Sequence, residues 1–138
     1  MNGLLSDVNI EGYLAYLERL LETLGLRKIL EGSNIQCATF ADLGLDPKTD
    51  DRTLWNWRQK HQWTLLTDNR NSNRLDSLGT TLADSWKSGH PPVITIANKR
   101  RFQRDGAYAQ AVAAQIGDIM FGLVSGPFRD QPRIFVPR

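Results

Sequence analysis

The sequence predicts an α/β fold, a three-layer sandwich in which helices cover both faces of a central, mostly parallel sheet of about five strands. Strand-like and helix-like segments alternate along the chain, and parallel neighbours need crossover connections, which are usually helices. The apolar run 93–96 is typical of a strand that is buried on both faces. The 138 residues are expected to form one domain with a substantial core.

In the first part of the chain, apolar residues recur at steps of three and four from Ile10 to Leu24, which predicts an amphipathic helix. Pro47 closes a loop, after which Asp50 or Thr49 can cap another helix. The predicted elements here are a strand at 4–9, a helix at 10–24, a short helical piece at 26–31, a strand at 35–40 and a helix at 51–61.

The second part continues the alternation. A polar loop at 68–74 follows the third predicted strand, and loops after buried strands often carry function. The predicted elements are strands at 63–67, 93–96 and 133–136, with a helix from Leu75 to Trp86 and a long one from Tyr108 to Leu123.

Composition narrows the class of protein. Hydrophobic residues make up 41% and charged residues 23%, as in a folded globule, and no apolar run reaches the ~20 residues that a membrane-spanning helix needs. Asp7 and Glu11 replace the basic start of a secretory signal, so no export signal is expected. The single cysteine, Cys37, excludes an internal disulfide and a cysteine-based zinc site, and we expect a cytoplasmic protein.

Charge is unevenly distributed along the chain. Residues 1–51 carry four Lys or Arg against nine Asp or Glu, and residues 52–138 carry thirteen against six. An acidic half can supply metal ligands and a basic half can hold a polyanion, although solvated surface charge explains the same pattern.

Acidic and amide side chains stand at predicted strand ends and at a helix start, which are places where ligands bind in parallel α/β sheets. These residues are Asp7 and Asn9 at the end of the first strand, Asp50 and Asp51 at the helix start, and Asp68 and Asn69 at the end of the third strand. Carboxylates that converge repel one another unless a cation holds them, and an all-oxygen set suits Mg²⁺ or Mn²⁺. These residues also have structural alternatives: Asp50 or Asp51 as a helix cap, Asp7 as the cap of the first helix with Asn9 the better candidate for that role, and Asp68 as a turn former.

The segment after the fourth strand is strongly basic. Lys99, Arg100, Arg101 and Arg104 flank one aromatic residue, and such a group can bind phosphates. Cations at a helix N-terminus oppose the helix dipole, which slightly favours a functional role over a solvated helix start. Arg70 and Arg74 add positive charge to the same edge. No glycine-rich phosphate loop occurs, and no serine or cysteine stands beside a histidine as a nucleophilic triad would need.

Three runs together resemble the compact PIN-like proteins of bacteria, especially cyanobacteria: 4–9 (LLSDVN), 51–55 (DRTLW) and 65–71 (LLTDNRN). PIN-like domains are small α/β nucleases, many of them toxins of toxin–antitoxin pairs, and they hold Mg²⁺ or Mn²⁺ on acidic residues to cut RNA. The resemblance implies that Asp7, Asp51 and Asp68 are catalytic metal ligands, with Asp76 a fourth candidate and Asp50 the alternative to Asp51. It also implies a central first strand between strands two and three.

On this reading Asn9 and Asn69 orient a ligand or water by hydrogen bonds, and the basic residues position an RNA backbone without reading bases. Arg70 stands where related sequences often have a second acidic residue. The alternative is therefore a catalytically degenerate PIN-like module that binds nucleic acid or protein. The four tryptophans and the apolar last helix could supply a homodimer or antitoxin surface, although a tryptophan is more often part of a core.

Overall fold

The computed structural model of the protein describes residues 3–68, 92–125 and 133–137, without the side chains of Asp51, Val124 and Ser125. The predicted helix from Leu75 to Trp86 lies outside these ranges. None of the helices in the described ranges is long and apolar enough to cross a lipid bilayer.

Five strands form a single sheet in which all neighbours run parallel. They are β1 (Gly3–Ser6), β2 (Gln36–Ala38), β3 (Trp63–Thr67), β4 (Val93–Ile96) and β5 (Arg133–Val136), in the order β2-β1-β3-β4-β5. The predicted α/β class with a parallel sheet is confirmed. The first strand lies between strands two and three, as expected.

Five α-helices are described: α1 (Leu14–Thr23), α2 (Arg27–Gly32), α3 (Asp51–His61), α4 (Lys99–Arg104) and α5 (Gly106–Ser125). The prediction for α3 matches both of its bounds. Two 3-10 helices, Val8–Tyr13 and Ala41–Leu43, follow β1 and β2.

The first two strands are shorter than predicted because local hydrogen bonds turn the chain. The backbone N–H of Asp7 still donates to Leu66 O at 2.8 Å, but the Asp7 carbonyl accepts from Ile10 N at 3.1 Å, which starts the 3-10 helix. After β2, Thr39 N donates to Asp42 Oδ2 at 2.9 Å, and this turn replaces the predicted end of the strand.

The sheet has an apolar core on each face, which makes three layers. Successive strand residues point to opposite faces, so Leu4 and Leu66 pack in one core and Leu5 and Leu65 in the other. Helices α1, α2, α4 and α5 cover the first face, and α3 covers the second with Leu54 and Trp55. Trp55 and Trp63 are buried, in agreement with the preference for core over interface.

Arg58 of α3 is fully buried, which the sequence analysis did not predict. Its Nη1 donates to the carbonyls of Trp63 (3.1 Å) and Pro92 (3.4 Å), whereas Nε and Nη2 have no hydrogen-bond partner within the described ranges. Burial lowers the pKa of Arg58 to about 9, so the side chain stays protonated at pH 7. Arg58 therefore links the starts of β3 and β4 at the amino edge of the sheet.

Candidate metal and phosphate site

The candidate site lies at the carboxyl edge of the sheet, where β1 and β3 end side by side. Strand order reverses between these two strands, because the chain continues from β1 to β2 on one side and from β3 to β4 on the other. In open parallel sheets, ligands bind in the crevice at such a point. Asp7 follows β1 directly and Asp68 follows β3 directly, so the parallel register brings both residues to this crevice.

The Asp7 carboxylate is fixed by the neighbouring strand. Thr67 Oγ1 donates to Asp7 Oδ2 at 2.7 Å, a short hydrogen bond to a charged acceptor. Asp7 occupies the cap position of the following 3-10 helix, but its side chain makes no cap hydrogen bond there. The carboxylate is half-buried and forms no ion pair with a described residue. It therefore presents a negative charge that is positioned but not neutralised by any of these residues.

The Asp68 carboxylate has a different partner. Lys99 Nζ lies 3.3 Å from Asp68 Oδ2, and the two side chains are 36% and 23% exposed, respectively. The same ammonium lies 6.0 Å from the centroid of the Tyr13 ring, and the Tyr13 hydroxyl donates to Gln103 Oε1 at 3.2 Å. Asp68 after β3, two residues of α4 and Tyr13 of the first 3-10 helix thus meet at this edge.

At the start of α3, the structure separates the roles of the two adjacent acids. Asp50 is the N-cap, since its Oδ1 accepts from Thr53 N at 2.7 Å and its Oδ2 from Thr53 Oγ1 at 3.1 Å. These bonds hold the pKa of Asp50 below its usual range. Asp50 thus follows the structural alternative that the sequence left open. Asp51 is the first residue of α3, but its side chain is outside the described part.

The basic residues of α4 divide into paired and exposed ones. Lys99 is paired with Asp68, and Arg101 Nε lies 3.3 Å from Asp105 Oδ2 while its guanidinium lies 4.8 Å from the centroid of the Tyr108 ring. Arg100 and Arg104 are exposed and form no ion pair with a described residue. These last two are the predicted phosphate-binding cations of α4 that stay available.

The remaining predicted site residues are Asn9 and four residues that follow β3. Asn9 lies inside the first 3-10 helix and is exposed, so the expectation that it caps the first helix is wrong: the N-cap of the 3-10 helix is Asp7, and that of α1 is Tyr13. The residues predicted in the loop after β3 and beyond it, Asn69, Arg70, Arg74 and Asp76, lie outside the described ranges.

The fit to Mg²⁺ or Mn²⁺ rests on the type and placement of the donors. Within the described ranges, no three His, Cys, Asp or Glu side chains form a group that could hold a metal. Asp7 and Asp68 do supply oxygen ligands of the kind that these ions prefer, on adjacent strand ends. The α3 helix leads into the amino end of β3, so Asp51 at its start belongs to the same edge. Among the described side chains the donor set is therefore two carboxylates, Asp7 and Asp68, and their oxygen atoms are of the type that suits a divalent ion.

Three residues at this edge, Thr67, Tyr13 and Gln103, were not predictable from the sequence as parts of the site. The Thr67 hydroxyl reaches Asp7 only because β1 and β3 pair in the register Ser6↔Leu66, which puts Thr67 beside Asp7. A hydroxyl one residue before a strand-end acid was the available signal. Tyr13 and Gln103 are 90 residues apart in the chain, so nothing local predicts their contact.

Comparisons of the chain with protein-family models, with curated proteins and with solved structures found no match.

Proposed function

We propose that the protein is a Mg²⁺- or Mn²⁺-dependent endoribonuclease of the PIN-like type. The observation that carries the proposal is the pair of strand-end carboxylates, Asp7 and Asp68, at the point where strand order reverses. Asp51 is the third ligand in this proposal, with Asp76 as a fourth candidate. The toxin role in a toxin–antitoxin pair, with a protein antitoxin as partner, belongs to the same proposal.

The chemistry follows from the charges of the site. A bound divalent ion lowers the pKa of a coordinated water and stabilises negative charge on the leaving oxygen of a phosphodiester. Asp7 and Asp68 would hold the ion through carboxylate oxygens, and the Thr67 hydroxyl donates to the Asp7 carboxylate and fixes its orientation. Arg100 and Arg104 attract the RNA backbone without reading its bases.

The test is cleavage of a 5′-labelled single-stranded RNA in Mn²⁺ and in EDTA. We expect wild-type protein to cleave the RNA in Mn²⁺ only. Asp7→Asn and Asp68→Asn should each lower the cleavage rate at least about 10²-fold, because each weakens a metal ligand. Asp118→Asn is the matched control, because Asp118 is an exposed acid on α5 that lies beside Leu26 and Ile29 and not beside Asp7 or Asp68. Equal cleavage by wild type and both site variants would refute the assignment.

A second function is favoured by one observation: Lys99 neutralises Asp68 within the chain. A site that supplies its own cation suits a PIN-like module that binds nucleic acid or protein without cutting. Such a module would bind RNA with an affinity that falls with salt and does not respond to EDTA. RNA binding measured at two salt concentrations, with and without Mn²⁺, separates this function from the nuclease.

A further inference from the structure

Lys99 begins α4 at a place where a cation is electrostatically unfavourable. The N-terminus of a helix carries partial positive charge, and a lysine there is repelled by it. The cap of this helix is already satisfied, because Asn98 Oδ1 accepts from Arg101 N at 3.0 Å. The contact that compensates Lys99 is the one to Asp68, which follows the neighbouring strand β3.

We propose that Lys99 is a built-in counter-ion that a divalent cation must displace from Asp68, and that Lys99 thereby sets the metal affinity of the site. This inference rests on the proposed function, since it assigns Asp68 to the metal. Lys99 is a positioning residue here: it acts on the ion through Asp68.

Competition follows from the geometry of the pair. The ammonium lies 3.3 Å from Asp68 Oδ2, so an ion bound to that oxygen would be placed beside a positive charge. Both side chains are partly shielded from water, which limits screening of that repulsion. The Lys99 stem is flexible, so the ammonium can leave Asp68 and remain at the same edge, where substrate phosphates would bind.

The experiment is calorimetric titration of Mn²⁺ into wild type, Lys99→Met, Lys99→Arg and Arg100→Met. We expect Lys99→Met to bind Mn²⁺ about fivefold more tightly than wild type. This factor equals about 1 kcal/mol, which is the upper end of the stabilisation measured for partly exposed ion pairs. Lys99→Arg keeps the positive charge and should bind much as wild type does.

Arg100→Met is the matched control. It removes one positive charge from the next residue of the same helix, but Arg100 is exposed and makes no ion pair with a described residue. Because its side chain is exposed, salt screens its charge, so we expect a change of less than about twofold. An equal gain from Lys99→Met and Arg100→Met would overturn the inference, because net charge alone would then explain it.

A second readout does not depend on substitution. Acylation of lysine amines, followed by mass spectrometry, should show that Mn²⁺ increases the reactivity of Lys99 relative to the exposed Lys48. Unchanged Lys99 reactivity at saturating Mn²⁺ would contradict displacement.

The outcomes separate this inference from the proposed function. Wild type and Lys99→Met that bind Mn²⁺ equally would refute the role of Lys99 and leave the nuclease intact. Tighter Mn²⁺ binding by Lys99→Met, with no RNA cleavage by any variant, would support the role of Lys99 and refute the nuclease. If no variant binds Mn²⁺, both are wrong.

Discussion

Two threonines on adjacent strands provide a controlled test of how the site is held. Thr67 of β3 and Thr95 of β4 are paired in the parallel register, and both are completely buried. The Thr67 hydroxyl donates to Asp7 at 2.7 Å, whereas the Thr95 hydroxyl has no hydrogen-bond partner in the described part of the chain. Valine has the same shape as threonine and suits a strand, so Thr67→Val and Thr95→Val each remove little more than one hydroxyl.

The expected changes have opposite signs. Thr67→Val removes a hydrogen bond to a charged group, and such bonds stabilise a fold by about 1.5 to 3 kcal/mol. Because Asp7 is half-buried and water can replace part of the bond, we expect the free energy of unfolding to fall by about 1.5 kcal/mol. Thr95→Val removes a buried hydroxyl without a partner, and we expect a gain of about 1 kcal/mol. At ~3 °C per kcal/mol for a chain of this size, the melting temperature should fall by about 5 °C and rise by about 3 °C, respectively.

The assay is urea unfolding at pH 7, followed by far-ultraviolet circular dichroism. A change in midpoint with an unchanged m-value would show that stability itself has changed. Equal losses of stability in Thr67→Val and Thr95→Val would refute the argument, because the carboxylate contact would then contribute nothing beyond the general effect of the substitution.

Three further predictions concern the framework. Gly3→Ala should destabilise by about 2 kcal/mol or more in urea unfolding, because its Cβ would clash with the backbone oxygen of Gln36. Gly12→Ala should not, because its Cβ would meet no atom of the described residues within 4 Å, and equal effects of the two substitutions would exclude the clash. Burial raises the pKa of the Cys37 thiol from 9.0 to about 12, so between these pH values only the unfolded chain loses the proton. The free energy of unfolding should therefore fall by up to about 1.4 kcal/mol per pH unit as pH rises. Cys37→Ala should flatten that slope when unfolding is measured at pH 8 to 11, and an unchanged slope would contradict the prediction. Asp50→Ala should lower the melting temperature at pH 7, because the helix loses its N-cap, and should leave Mn²⁺ binding intact. Since folding lowers the pKa of Asp50, the difference in melting temperature from wild type should shrink as pH falls below 3.8. Loss of Mn²⁺ binding would instead make Asp50 a metal ligand.

The elements predicted best are those with strong patterns. The bounds of α3, β3, β4 and β5 were predictable because apolar residues recur at the helical spacing or form short buried runs with clear stops. The ends of β1 and β2 were not, because they depend on side-chain and backbone hydrogen bonds in the next turn, such as Thr39 to Asp42. Competition between such local bonds and a strand ladder is not visible in hydrophobic periodicity.

The position of the candidate site in the fold was predictable from the sequence, but the contacts of its residues were not. Parallel strands end at one edge, so strand-end acids such as Asp7 and Asp68 belong together once the strands are recognised. Their actual partners, Thr67 and Lys99, depend on strand order, register and the reach of a long side chain. A lysine at a helix start is recognisably unusual because of the helix dipole, but the sequence does not say which acid compensates Lys99.

The central claim is that Asp7 and Asp68 form a divalent-metal site, and Mn²⁺ binding tests it most directly. Calorimetry at neutral pH and moderate salt would compare wild type with Asp7→Asn and Asp68→Asn, after circular dichroism has shown that each variant is folded. We expect wild type to bind Mn²⁺ and each substitution to weaken binding at least tenfold, on the order of 1.4 kcal/mol. Wild-type protein that binds no Mn²⁺, or binds it as well without either carboxylate, would contradict the account.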